Sequence, residues 1–183
     1  FNTLDEGASK TEQWVVKNQK YIFTIVGLAA VLILGFLSYD KLVQQPKERQ
    51  AMNDMYTAQT YFDQAVSATE KDSMYTLSLN GDDNKFGMLD IADTYAGTKA
   101  GNLANYFSGM AYMNMKDYAN AIEYLNAFSS DDDVLGPIAK GGIGDAFVQL
   151  EQLEDAYDYY VQASKLKINN YTTPTYLYKA GVI

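Results

Sequence analysis

The stretch Tyr21–Tyr39, YIFTIVGLAAVLILGFLSY, runs for nineteen residues without a charge and is closed by Lys20 and Asp40. At about 1.5 Å rise per residue, a helix of this length just spans a hydrocarbon core of roughly 30 Å. In hydrocarbon a helix also closes its backbone hydrogen bonds within itself. Trp14, Tyr21 and Tyr39 lie near its ends, where amphipathic rings prefer the headgroup level. A core helix of a soluble domain would carry polar residues along one face, and this run has only Thr24 and Ser38. A cleaved signal peptide would have a shorter apolar region, about 7–15 residues, followed by small residues. Here Tyr39, Asp40 and Lys41 follow instead. The run therefore predicts a transmembrane helix over 21–39, in contact with membrane lipid. It divides the chain into a tail (1–20), the span (21–39), a juxtamembrane linker (40–50) and a domain (51–183).

Charge separates these parts. The tail balances Lys10, Lys17 and Lys20 against Asp5, Glu6 and Glu12, so the net −9 lies after the span, as 11 positives against 20 negatives. An acidic domain excludes nucleic acid, whose binders need a basic face, and it does not dock flat on anionic lipid. Lys41, Lys47 and Arg49 on the far side equal the three lysines of the tail, so the positive-inside rule does not set the orientation. A single N-terminal anchor followed by a large domain is expected to leave the tail in the cytoplasm and the domain outside.

Beyond the span the apolar residues return at helical spacing. Met52, Met55, Ala58, Tyr61, Phe62, Ala65 and Val66 predict a helix over about 48–69, with Pro46 interrupting the chain as it leaves the membrane. SLNGDDN (78–84) reads as a turn-rich break centred on Asn80-Gly81. Further helices are expected at about 86–95, 100–114, 118–129, 136–150, 152–166 and from 174 onward. Thr98 is placed to cap the helix that follows it. No strand pair is apparent, and the short connections predict an antiparallel helical array. KAGVI at 179–183 stops inside what reads as a helix, so the last repeat is expected to be incomplete.

Self-comparison sharpens the array into a repeat. Gly109-Met-Ala-Tyr112 aligns with Gly144-Asp-Ala-Phe147 at an offset of 35, and the match continues with Ala121 on Ala156 and Tyr124 on Tyr159. Pro174 and Gly181 match Pro137 and Gly144 at an offset of 37, and Ala58 to Ala65 form a degenerate earlier helix. Gly109, Gly144, Ala121 and Ala156 are expected where helices cross closely, with Tyr112 and Phe147 filling the groove beside them. This pattern resembles the tetratricopeptide repeat, about 34 residues per helix pair. It departs from that repeat at the first large aromatic position, where Asn105 and Lys140 stand.

The resemblance implies an all-α fold: one N-terminal transmembrane helix, then a tetratricopeptide-like solenoid whose concave face is lined by the first helix of each pair. Carried onto this sequence, the face comprises Leu103, Tyr106, Met110, Met113 and Asn114, then Ile138, Asp145, Val148 and Gln149, then Tyr178 and Val182. A surface of Met, Tyr and Leu suits an adaptable apolar partner, since Met repacks at little cost. Some of these side chains would equally serve as core between repeats.

The residues offer no catalytic constellation. There is no His and no Cys, which removes the commonest general base, the commonest transition-metal ligand and any thiolate chemistry. Asp131-Asp132-Asp133 lacks the spacing of a metal loop and reads as a solvated connection that caps a helix. Gly141-Gly142-Ile-Gly144 follows no strand and lacks the Lys-Ser/Thr of a phosphate loop. The adjacent acids Glu154-Asp155 and Asp82-Asp83 fall on an exposed helix and a turn. No cofactor, no metal and no enzymatic activity are expected.

The order of tail, span and Tyr/Ala-rich repeats resembles the bacterial YfgM-type proteins, best over Glu12–Val66 and the repeats. That resemblance implies an inner-membrane protein with its repeat domain in the periplasm, ancillary to the Sec translocon channel subunits. It also implies work beside a periplasmic chaperone of the prolyl-isomerase type, and contact with emerging secretory clients. The alternative with the same architecture is a membrane-anchored scaffold or receptor of another envelope complex, unrelated to secretion.

Overall fold

The computed structural model describes residues 2–68, 70–82 and 84–183, with side chains from residue 12 onward. Thr69, expected to end a helix, Asp83 of the predicted turn and the charged side chains of the early tail lie outside the described residues. The chain forms two compact units, one up to Pro46 and one from Lys47 to Ile183.

The first unit is built on α1 (Asn2–Tyr39), so the tail is helical and runs into the apolar run without a break. Nearly all side chains of that run are exposed, Tyr21 at 73%, Leu32 at 73% and Phe36 at 70%. Among the described residues this is the apolar region long enough to cross a membrane. Thr24 within the run and Asn18 just before it bond back to the helix. The Thr24 hydroxyl donates to the Lys20 carbonyl at 2.8 Å, and the Asn18 amide donates to the Trp14 carbonyl at 2.8 Å. Such back-bonding satisfies a hydroxyl without water.

Pro46 was expected to interrupt the helix. Instead the backbone widens into a π-helical turn over Asp40–Gln44, and α2 (Gln45–Ser67) begins directly after it. The Gln45 N–H donates to the Asp40 carbonyl, five residues back, and the Gln45 amide reaches the Asp40 carboxylate at 2.9 Å. Proline has no N–H to donate, and its ring would strike a carbonyl four residues back. A single π turn relieves that conflict without ending the helix. The expected linker at 40–50 is accordingly helical.

In the second unit α2 is followed by α3 (Lys71–Asn80), a two-residue hairpin β1–β2 (Gly81–Asp82 and Lys85–Phe86) and α4 (Met88–Thr94). Then come α5 (Lys99–Asn114), α6 (Tyr118–Ala127), α7 (Leu135–Gln149), α8 (Leu153–Leu166) and α9 (Thr172–Gly181). Helix α3 and the hairpin correct the expectation of an irregular break without strands. Tyr75, Leu77 and Leu79 alternate as in a strand, and Glu70 supplies no side-chain cap, so α3 carries no local helical signal. Tertiary contacts make it a helix. Tyr75 and Leu79 are buried with Ala65, against Phe62, and the buried Ser78 hydroxyl donates to the Ala58 carbonyl at 2.9 Å. The chain leaves α3 through Gly81 at φ +75°, in a region that favours glycine. The antiparallel pairs Gly81–Phe86 and Asp82–Lys85 follow. Asp82 fixes the hairpin by accepting from the Tyr61 hydroxyl at 2.7 Å and the Asn84 N–H at 3.2 Å.

Helix α2 packs Ala51, Met55 and Ala58 against Met88, Ile91, Tyr95, Ala100 and Ala104. The Glu48 carboxylate accepts from the backbone N–H groups of Lys99 and Ala100 at 2.7 and 3.0 Å. It thereby satisfies donors that the first turn of α5 leaves free. Thr98 adds the expected cap, its hydroxyl accepting from the Gly101 N–H at 2.9 Å.

From α5 onward the geometry repeats with the sequence. Gly109 sits on Leu125 and Gly144 on Tyr160, each without room for a Cβ, while Ala121 and Ala156 are fully buried. The rings of Tyr112 and Tyr124 stack at 5.6 Å, and those of Phe147 and Tyr159 meet at 5.4 Å. Both interhelix turns end the same way. Lys116 and Glu151 take φ of 65° and 61°. After them the Asp117 N–H donates to the Tyr112 carbonyl, and the Gln152 N–H to the Phe147 carbonyl, at 2.9 Å each. This left-handed cap is the place where glycine is usual, and a side chain there costs about 1 kcal/mol. Lys116→Gly and Glu151→Gly should therefore each stabilise the second unit by roughly 0.5–1 kcal/mol, read as a rise in the midpoint of urea unfolding.

Ser108 breaks the pattern of satisfied polar groups. It is fully buried in α5, and its hydroxyl has no hydrogen-bond partner. Removing an unsatisfied buried hydroxyl recovers its desolvation cost. Ser108→Ala should raise stability by about 1 kcal/mol in the same measurement.

Candidate interaction surface

Helices α5, α7 and α9 are the first helices of successive pairs and contact one another in that order, with α6 and α8 between them in sequence. Of the face expected on this row, Leu103, Tyr106, Met110 and Met113 are half-buried. They pack against the cluster of Leu125, Phe128, Ala139 and Ile143, so they serve as core between repeats as well as surface. Tyr106 adds an edge-on ring contact to Phe107 and a tilted one to Phe128, and burial raises its hydroxyl pKa. Asn114 is exposed and bonds back to the Met110 carbonyl at 2.8 Å. Ile138 is half-buried, while Tyr178 and Val182 stand out at 72% and 61% exposure.

Met113, Asp145, Val148 and Gln149 come together in an open depression of about 340 Å³, with Tyr118 and Tyr160 completing its lining. The other predicted face residues lie outside it. Met113 and Val148 give it apolar surface. At the rim the Tyr118 hydroxyl donates to the Gln149 side-chain oxygen at 3.3 Å.

Asp145 anchors this depression. Its Oδ1 accepts from the Tyr160 hydroxyl at 2.6 Å and from Lys179 Nζ at 2.6 Å, and its Oδ2 accepts from Lys179 at 2.8 Å. Lys179 also lies over the rings of Tyr160 and Tyr176, 5.5 and 5.8 Å from their centroids, and those rings stack at 6.2 Å. Burial, followed by the Asp145 charge, pushes the Tyr176 hydroxyl up to about 12 and raises Tyr160 further in the same direction. Both stay neutral at ordinary pH, and Tyr160 donates to Asp145. Tyr176 fills the space that Gly141 leaves open, which explains the glycine-rich start of α7 as close packing.

Tyr118, Tyr160 and Lys179 were not part of the expected face. Tyr118 is the first residue of α6 and Tyr160 lies on α8, the second helices of their pairs. The one available signal was the offset of 35, which sets Tyr160 on Leu125, the residue that packs on Gly109. Lys179 had none, because its pairing with Asp145 depends on how α9 packs against α7.

A second, polar depression of about 290 Å³ is lined by Gln50, Asn53, Asp54, Thr57, Asn84, Lys85 and Phe86. Beside it the Tyr95 hydroxyl donates to the Asp54 carboxylate. Its lining holds no nucleophile paired with a base. Among the described residues no group of acids, His or Cys is placed to hold a metal. Within the Asp131-Asp132-Asp133 run, the Asp132 carboxylate accepts from the N–H groups of Val134 and Leu135 at 2.8 Å each. That run is a helix-capping connection, as expected.

Comparison with known proteins agrees with this geometry where it is most regular. The family model for the tetratricopeptide repeat matches residues 104–128, the stretch covering most of α5 and all of α6. No curated protein and no solved structure matches the chain. The class of molecule is an all-α, helical-repeat protein, and the matched repeat points to a protein-interaction module. The repeat it carries at 104–128 is a tetratricopeptide repeat, and α7–α8 reproduce the same packing 35 residues on.

Proposed function

We propose that the chain is a membrane-anchored, non-enzymatic interaction module of the bacterial inner membrane with its repeat unit in the periplasm. It acts as an ancillary subunit of the Sec translocon. In this role it brings periplasmic chaperones of the prolyl-isomerase type, and emerging secretory clients, to the channel. The observation that carries this reading is the apolar run of α1. Its side chains are exposed along the span and the Thr24 hydroxyl closes onto its own backbone, in the same chain as a tetratricopeptide repeat. An exposed surface of this kind belongs in lipid or against another membrane helix. This span carries no ionisable residue to move an ion or proton, so its role is to tether the recognition surface and to dock laterally. The face from Leu103 to Tyr178 is the surface offered to partners.

Purification in a mild detergent followed by identification of co-purifying proteins tests the assignment. Channel subunits together with a periplasmic chaperone are expected. Their absence, or a repeat unit that resists protease added outside spheroplasts, moves the reading to a scaffold or receptor of another envelope complex.

A further inference from the structure

We infer that the depression formed by Met113, Tyr118, Asp145, Val148, Gln149 and Tyr160 takes a cationic side chain, Lys or Arg, flanked by apolar residues of an extended partner segment. The inference rests on the interaction reading above and names the partner chemistry of that face. Three observations lead to it.

The first is acceptor capacity. Asp145 Oδ1 is doubly engaged, by Tyr160 and Lys179, but Oδ2 receives one donor, Lys179 at 2.8 Å. An ionised carboxylate offers about four lone-pair sites, and this one is 38% exposed at the depression. A second cation can therefore bond to Oδ2 without displacing Tyr160. The second is the lining. Tyr118 presents an aromatic ring, which attracts cations, the buried Tyr160 holds Oδ1 in place from below, and Met113 and Val148 accept the apolar stem or a neighbouring apolar side chain. The third is the field. The part of the chain after the span carries 20 carboxylates against 11 positive groups. Among the described residues the one ion pair is Lys179–Asp145 itself, so the excess negative charge is not neutralised by pairing. Such a surface draws cationic segments and repels acidic ones. Lys179 shares the carboxylate with the incoming cation, and its own charge limits how tightly that cation is held.

The test uses the full chain in a mild non-ionic detergent. Fluorescence polarisation follows three labelled peptides with blocked ends: one of Leu, Lys and Ser, and the same peptide with Gln or Glu in place of Lys. Blocking the ends removes the terminal amine as a source of positive charge. The Lys peptide is expected to bind about tenfold more tightly than the Gln peptide, the Glu peptide more weakly still, and binding should weaken with added salt. Asp145→Asn should lower affinity for the Lys peptide about tenfold. Lys179→Met keeps the stem over the Tyr160 and Tyr176 rings but frees the carboxylate, and it should raise affinity severalfold. The double variant should follow Asp145→Asn.

A purely structural pair predicts otherwise: both single substitutions would loosen α9 and lower affinity alike, and that result overturns the proposal. If Asp145→Asn fails to fold, as read by circular dichroism, the direction of the Lys179→Met effect still decides. Equal binding of the three peptides overturns the cation preference and leaves the interaction reading in place. Binding of none of them overturns both.

Discussion

Gly144→Ala should lower the thermal unfolding midpoint of the repeat unit by roughly 10 °C, corresponding to about 2–3 kcal/mol, while Gly181→Ala leaves it essentially unchanged. The two glycines occupy matching positions of successive copies, yet their surroundings differ. A Cβ at Gly144 would lie 2.6 Å from Tyr160 Cε1 and 3.3 Å from the Ala156 carbonyl oxygen. The Tyr160 ring has little freedom to yield, because its hydroxyl is held by Asp145 and its face by Lys179. The helices α7 and α8 must then separate, and close-packed interiors lose contacts steeply when they do. At Gly181 a Cβ meets nothing within 4 Å. Differential scanning calorimetry on the two variants distinguishes the cases. Equal shifts would mean that the repeat is held by intrinsic helix propensity rather than by this crossing. Because neighbouring copies share interfaces, the transition of Gly144→Ala should also broaden as α8 and α9 separate from the rest.

The contrast between these glycines shows what the sequence makes legible. A small residue at a fixed offset marks a crossing only where a side chain of a neighbouring helix closes on it. Gly109 and Gly144 each have one, and the offset of 35 located both, together with their ring pairs and Ala121 and Ala156. The two turns were legible as turns. Their left-handed residues, Lys116 and Glu151, were not, because neither is the glycine that usually announces that conformation. Helix α3 escaped for a different reason: Tyr75 to Asn80 alternate apolar and polar, and burial of Tyr75 and Leu79 overrides that local pattern. Pro46 was legible as a perturbation, but whether a proline breaks a helix or widens it is decided by backbone hydrogen bonding several residues away.

The interaction face was legible only in part, for a geometric reason. Helical periodicity says which residues share a side of α5 or α7, not how deeply that side sinks into its neighbours. Leu103, Tyr106, Met110 and Met113 share one side of α5, and the adjoining helices cover much of it. The depression is lined by Met113 of α5 and by Asp145, Val148 and Gln149 of α7, and residues of two second helices, Tyr118 of α6 and Tyr160 of α8, complete it. The Asp145–Lys179 pair, across 34 residues, carries no repeat signature at all. Charge supplied what periodicity did not: the acidity of the whole segment after the span indicated the sign of the field in which this depression lies.

Replacing Leu28 and Leu32 together with aspartate should release the chain from membranes. Both side chains are exposed on α1, at 62% and 73%, with nothing among the described residues of the first unit to cover them. Each aspartate near the centre of a span opposes insertion by roughly 3 kcal/mol, to which the loss of each leucine adds about 0.5 kcal/mol. The combined penalty, on the order of 7 kcal/mol, is large beside the favourable insertion energy of a nineteen-residue run that also contains Gly27, Gly35, Thr24 and Ser38. Alkaline carbonate extraction followed by ultracentrifugation reads the outcome: the unaltered chain should remain in the pellet and the double variant should move to the supernatant. Leu28→Ala with Leu32→Ala is the control, expected to stay in the pellet because alanine keeps the run uncharged. Circular dichroism of the released variant should retain the helical signal of the second unit, whose core of Met55, Ile91, Leu125 and Ile143 includes no residue of α1. A double variant that stays in the pellet while remaining soluble in mild detergent would mean that another membrane protein holds the chain, and that the apolar surface of α1 faces protein rather than lipid.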